Sequence, residues 1–241
     1  MSLLTLIQGA ADMVGLSRPA AVITSTDPAV RRMLALANVE GQELAKRHEW
    51  TVLIREATWT TLAAESQGTL ASIASDLDQE NGGRIVNETI WNRTAQRRML
   101  GPLSSQCWQR MKAASVTGPY SEFRIRAGTL YLLPSPAAGQ TAAFEYITKN
   151  WCQSSGGTGR SAWAADDDTG VLSEHLMKLG VVWRFKMSNE MSWEPDYQVY
   201  NLAVQQAIAH DGTKATLDIG ERSPYDPTRS VTVPEGSWNL P

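Results

Sequence analysis

Three consecutive carboxylates, Asp166, Asp167 and Asp168, stand a short step ahead of His175 in the chain. Hard divalent cations take carboxylate oxygens, so this run with His175 defines one chemical reading, a metal-dependent hydrolase. A metal site needs ligands converging from fixed positions, and no Asp-x-Asp-x-Asp-Gly loop follows here. Acidic residues also gather ahead of helices, where the helix dipole favours negative charge. The run therefore reads first as a solvated turn leading into a helix.

The other reactive side chains point the same way. His48, His175 and His210 are the three histidines. His175 follows Glu174 but has no second His four residues on, so the metalloprotease helix is absent. His210 stands where a helix ends, a place for bonding terminal carbonyls. Gly156-Gly157-Thr158-Gly159-Arg160 resembles a phosphate loop only superficially, lacking the Lys-Ser/Thr pair, and reads as linker. No nucleophile elbow and no dinucleotide fingerprint appears. Cys107 and Cys152 are too few for a disulfide scaffold and lack metal-ligand spacing, so both read as thiols in a reducing compartment. No catalytic, cofactor-binding or metal residue is assigned, no cofactor is expected, and the chain is not read as an enzyme.

Charge narrows the partners. The chain has 22 basic and 25 acidic residues, a formal charge of −3, and so lacks the strongly basic surface of a free-standing nucleic-acid binder. Arg93, Arg97, Arg98, Arg110 and Lys112 form its one basic concentration, with Trp91 and Trp108 nearby in sequence. They read as a solvated rim, with a phosphate-touching patch as the alternative. Of nine Trp residues, Trp50, Trp59, Trp91, Trp151, Trp163, Trp193 and Trp238 fall at element ends or in loops. Most read as core anchors, although Trp also favours protein interfaces. The first residues lack the basic start of a signal peptide, and no apolar run approaches the roughly 18 residues of a membrane span.

Positioning elements follow from periodicity. Leu3, Ile7, Ala10 and Val14 share one face of a first helix that ends at Gly15. Asp27 caps a second helix with Pro28 at its first position. Val30, Leu34, Ala37, Gly41, Leu44 and His48 form its buried stripe, with Arg31, Arg32, Glu40, Glu43, Lys46 and Arg47 as wet flanks. Ala57 to Trp151 changes period. It holds alternating strands near Ala57–Thr61, Arg84–Trp91 and Thr141–Thr148, and a loop over Glu65–Gly83. A short helix begins after Ser104, and a tight hairpin turns at Ala127-Gly128. Ser173 is expected to cap a helix striped by Leu172, Leu176, Leu179 and Trp183, widened by Val182, Phe185 and Met187. Glu194-Pro195 restarts the chain into a helix striped by Tyr197, Tyr200, Val204 and Ile208, stopped by Gly212.

The expected fold is therefore α+β: a helical bundle built from the N- and C-terminal helices, a central β-rich insert and an extended C-terminal tail. Its parts are N-terminal helices over 1–56, the insert over 57–151, a flexible linker over 152–165, a C-terminal helical hairpin over 166–212 and a docking tail over 213–241. Proline-punctuated and thinly hydrophobic, that tail is expected to order on a partner. By residue type its anchors are Arg222, Tyr225, Arg229 and Trp238.

The order of these parts resembles a known family. An acidic-Thr-Gly run, the Leu172-x-Glu174-His175-Leu176-x-x-Leu179-Gly180 helix with its aromatic-basic end, and a helix closing at His210-Asp211-Gly212 are similar to bacteriophage head-to-tail adaptors. These are the tail tubular protein A-like connectors. The resemblance implies a virion protein of the neck, assembled in the host cytoplasm, with no catalysis. It implies a homo-oligomeric ring, twelve-fold in the family's usual form, that binds the portal protein on one side and a tail nozzle or tail tube on the other. DNA would pass through the lumen without sequence-specific binding, so the lumen is expected to be neutral to acidic. No membrane partner is implied.

Overall fold

The computed structural model describes residues 2–80, 82–114, 118 and 120–212. Helix α1 spans Leu3–Val14 and α2 spans Pro28–Arg47, and a single 3-10 turn at Thr51–Leu53 leads into β1, Ile54–Thr60. Next come β2 (Ser66–Thr69), α3 (Leu70–Ile73), β3 (Arg84–Ile85), β4 (Trp91–Asn92), β5 (Arg97–Arg98) and α4 (Ser105–Ala113). The hairpin of β6 (Glu122–Arg126) and β7 (Thr129–Leu133) precedes β8 (Thr141–Ile147). Three short strands follow, β9 (Cys152–Gln153), β10 (Gly159–Arg160) and β11 (Thr169–Gly170), before α5 (Glu174–Ser188) and α6 (Glu194–His210).

Local chemistry sets most element ends. Ser2 caps α1 through its hydroxyl, and Gly15, left-handed at φ 81°, returns its amide to the last turn. Asp27 accepts from the Ala29 amide at 2.8 Å, with Pro28 opening α2. Ser104 caps α4 by accepting from the Cys107 amide at 3.2 Å. Ala127 and Gly128 both have positive φ, which closes the two-residue β6–β7 turn. Ser173 precedes α5 but its hydroxyl makes no cap bond, contrary to expectation.

The described residues form two apolar clusters. The first joins α1, α2, α5 and α6 through Leu3, Ile7, Met33, Leu44, Val181 and Val204, each nearly or fully buried. Burying such a side chain contributes about 1.5–3 kcal/mol. Two glycines permit its closest approaches. A Cβ on Gly41 would lie 2.5 Å from the Trp151 ring, and one on Gly180 would lie 2.2 Å from the Glu40 carboxyl carbon. The second cluster lies on the β1–β8 sheet and the β6–β7 hairpin, with Trp59, Ile90, Phe123, Leu130, Leu132 and Phe144.

The expected helical bundle with a central β-rich insert is corrected by this arrangement. Among the described residues the fold is mixed α/β, with six α-helices and three antiparallel sheets. One sheet runs β1-β8-β4-β5, with β3 also paired to β8; a second runs β10-β9-β11; a third runs β2-β7-β6. The β structure is continuous with the helical core rather than hung from it. Leu53 and Ile147 at the ends of β1 and β8, and Trp151 and Cys152 beyond them, all belong to the first cluster. The described chain up to Asp211 accordingly forms one unit. The stretch read as a flexible linker carries β9 and β10, with Cys152 and Trp163 buried. The loop expected over Glu65–Gly83 holds β2 and α3, and the strand expected over Arg84–Trp91 is reduced to the two-residue β3 plus the first residue of β4.

Candidate functional site

The acidic run that opens the chemical question is a structural clasp. Asp168 is fully buried. It accepts two bonds from Arg160 Nη1, at 2.7 and 2.8 Å, and one each from the Ala164 and Ala165 amides at 2.8 and 3.0 Å. Burial pushes its carboxyl up, but the two amides and the Arg160 guanidinium outweigh that and hold it below the usual carboxylate range. Asp166 accepts from the Val22 and Ile23 amides, the latter at 2.8 Å. The carbonyls of Asp168 and Asp166 take the amides of Leu3 and Leu4, orphan donors of the first turn of α1. Asp167 and His175 are exposed, and the carboxylates of Asp166 and Asp168 face different partners. Among the described residues, no three His, Cys, Asp or Glu side chains converge as metal ligands.

A second polar cluster lies where α2, α5 and α6 meet. Glu40, read from sequence as a wet flank, is completely buried. Its carboxylate accepts from Arg184 Nε at 2.8 Å and from the Tyr200 hydroxyl at 2.6 Å. Arg184 also donates to Glu43 at 2.7 Å, and Arg47 donates to Asn201 at 2.7 Å while lying over the Tyr200 ring. Burial and the neighbouring Glu40 carboxylate raise the Tyr200 hydroxyl well above its ordinary value. Glu40 missed detection because its partners lie far along the chain; the one local signal is its place beside Gly41 on the buried stripe.

The outer side of this helical layer has unusual chemistry for a surface. From Tyr197 to Ala209, α6 contains no charged residue. Its solvent face is Pro195, Val199, Leu202, Gln206 and Ala209, with Gln198 and Gln205 beside them. Val199 and Leu202 are each 56% exposed. Met187 in the last turn of α5 and Met191 in the turn into α6 are exposed too, and the rings of Trp183, Trp193 and Tyr197 pack against one another. A helix face that merely meets water carries charged side chains.

The remaining sequence candidates disperse. Arg93 pairs with Glu56, Arg98 with Glu88 and Lys112 with Glu65, so three of the five basic residues are locally neutralised. Gly156 to Thr158 lie in a tight β9–β10 turn closed by Ser154 and Thr158, with Gly157 at positive φ, and Gly159–Arg160 is β10 itself. His48 lies 3.3 Å from Asp211, while His210 lines an apolar cleft of about 260 Å³ with Leu44, Trp50, Leu172 and Leu176. Trp50, Trp59, Trp108, Trp151, Trp163 and Trp183 are buried, and Trp91 and Trp193 half-buried. Arg222, Tyr225, Arg229 and Trp238 lie outside the described residues. No protein family matches the chain, and no curated protein matches its sequence.

Proposed function

We propose that this chain is a structural assembly subunit, a head-to-tail adaptor of a tailed bacteriophage whose copies form a ring between the portal and the tail. The observation that carries this reading is the uncharged solvent face of α6, on which Val199 and Leu202 are exposed. Interface cores are depleted of charge, and exposed apolar patches mark sites of association. A head-to-tail contact between two different faces of one subunit closes into a ring when its rotation does. Twelve copies, the portal and tail-nozzle or tail-tube contacts and DNA in the lumen come from the family resemblance. The paired state of Arg93, Arg98 and Lys112 suits a chain that lets DNA slide past. The acidic clasp gives the hydrolase reading no support, since the carboxylates of Asp166 and Asp168 already accept from amides and Arg160.

The test is native mass measurement of the full chain, alone and mixed with a tailed-phage portal ring. A ring-sized complex is expected with the portal, and Leu202→Lys should abolish it while leaving the thermal melt of the free chain within about 0.5 kcal/mol of wild type. A chain that ignores the portal, or a Leu202→Lys variant that assembles as wild type, refutes the reading.

A further inference from the structure

Strand β1 is an outer strand. Among the described residues it pairs with β8 alone, with Ile54 opposite Ile147 and Thr60 opposite Thr141. Its backbone parity follows from bonds at both ends. The Thr61 amide donates to the Gln140 carbonyl at 2.8 Å, and the Thr148 amide donates to the Leu53 carbonyl at 3.1 Å. Odd-numbered residues of β1 thus turn their amides and carbonyls toward β8, and even-numbered ones turn theirs outward. The far side of β8 agrees, because the carbonyls of Thr141 and Glu145 bond to Arg93 and Val86 instead.

The outward groups are closed at both ends and open in the middle. The Ile54 amide bonds to the Thr51 carbonyl, and the Ile54 carbonyl accepts from Arg55 Nη1 at 2.9 Å. Leu62 is satisfied on both sides by the Gln67 amide, at 2.9 and 3.0 Å. Between them, Glu56, Thr58 and Thr60 have exposed side chains, and their outward amides and carbonyls have no partner among the described residues.

We infer that this open edge pairs with the same edge of a second copy, antiparallel, about a two-fold axis through Thr58. That register sets Thr58 against Thr58 and Glu56 against Thr60, so all six open groups are paired and none is left over. Side chains agree with it. Thr faces Thr, the small Ala57 faces the large Trp59, and no like charges oppose each other. A strand in another register would leave open groups unpaired or set Glu56 against Glu56. The contact is independent of the adaptor reading, since a two-fold contact closes at two copies and cannot by itself build a ring.

Sedimentation of the full chain over micromolar to submillimolar concentration tests this with surface variants. Wild type should dimerise. Thr60→Lys sets a cation against Glu56 and should keep the dimer, while Thr60→Glu sets like charges together at two symmetric positions and should dimerise about tenfold more weakly than Thr60→Lys. Thr58→Pro removes an outward amide, a position that an outer strand tolerates, and should be monomeric with an unchanged melt. Leu202→Lys, on the other surface, should leave the dimer intact, so failure of the portal experiment and failure here are distinguishable. A wild type that stays monomeric, as it would if the edge served a segment of another protein, overturns the inference. So does a dimer equally strong in Thr60→Glu and Thr60→Lys.

Discussion

Replacing Gly180 by alanine should destabilise this protein, although the same change in a solvent-facing helix stabilises by about 0.8–1.0 kcal/mol. A Cβ at this position would lie 2.2 Å from the Cδ of Glu40 and 2.4 Å from its Oε1. Either Glu40 leaves its bonds to Arg184 and Tyr200, or α2 and α5 move apart. The first loses hydrogen bonds to a charged group, worth about 1.5–3 kcal/mol each. The second is overpacking, at about 1–3 kcal/mol. The cheaper route sets the cost, and an overlap this deep puts overpacking at the upper end of its range, so set against the helix gain the net loss is about 2 kcal/mol, read as a lowered urea midpoint at constant m-value. Glu40→Ala removes the obstacle but leaves Arg184 with Glu43 alone, which by itself costs about 3 kcal/mol. In the double variant the alanine at 180 meets open space, so the pair should lose at least about 1.5 kcal/mol less than the sum of the singles. A neutral or stabilising Gly180→Ala, or additive singles, would show that the close approach at Gly180 does not matter energetically.

Asp168→Asn should weaken the fold at neutral pH and flatten its acid limb. The folded carboxyl is held below its unfolded value of about 3.9, so its contribution is complete above that value and is lost as pH falls through the folded one; unfolding midpoints measured from pH 6 downward in both proteins check this, and parallel curves refute it. Burial, with the Asp168 carboxylate nearby, pushes the Cys152 thiol up to about 12. It should therefore resist a thiol reagent at pH 8 while the half-buried Cys107 reacts; two equivalents released from native protein would contradict this.

Short-range chemistry was readable where a residue's neighbours in the chain decide its conformation. The Asp27-Pro28 start of α2, the Gly15 stop of α1, the Ser104 cap of α4 and the Ala127-Gly128 hairpin each follow from one or two side chains and the backbone angles they allow. The period of three to four apolar residues likewise announced α1, α2, α5 and α6. Two-residue strands such as β3, β5 and β9 show no period at all, which is why the stretch after Trp151 read as linker and the β structure as a separate insert.

The sequence by itself determined the four long helices, the Gly15 stop of α1, the Asp27 cap of α2 and the absence of charge along α6 from Tyr197 to Ala209. Only tertiary structure decided that this face points to solvent, that β1 is left as an outer strand, and that Glu40 and Asp168 are buried. The physical reason is distance along the chain. Glu40 is satisfied by Arg184 and Tyr200, and Asp166 holds the amides of Val22 and Ile23. A polar side chain far from its partner in sequence looks like any solvated one until the fold brings the two together.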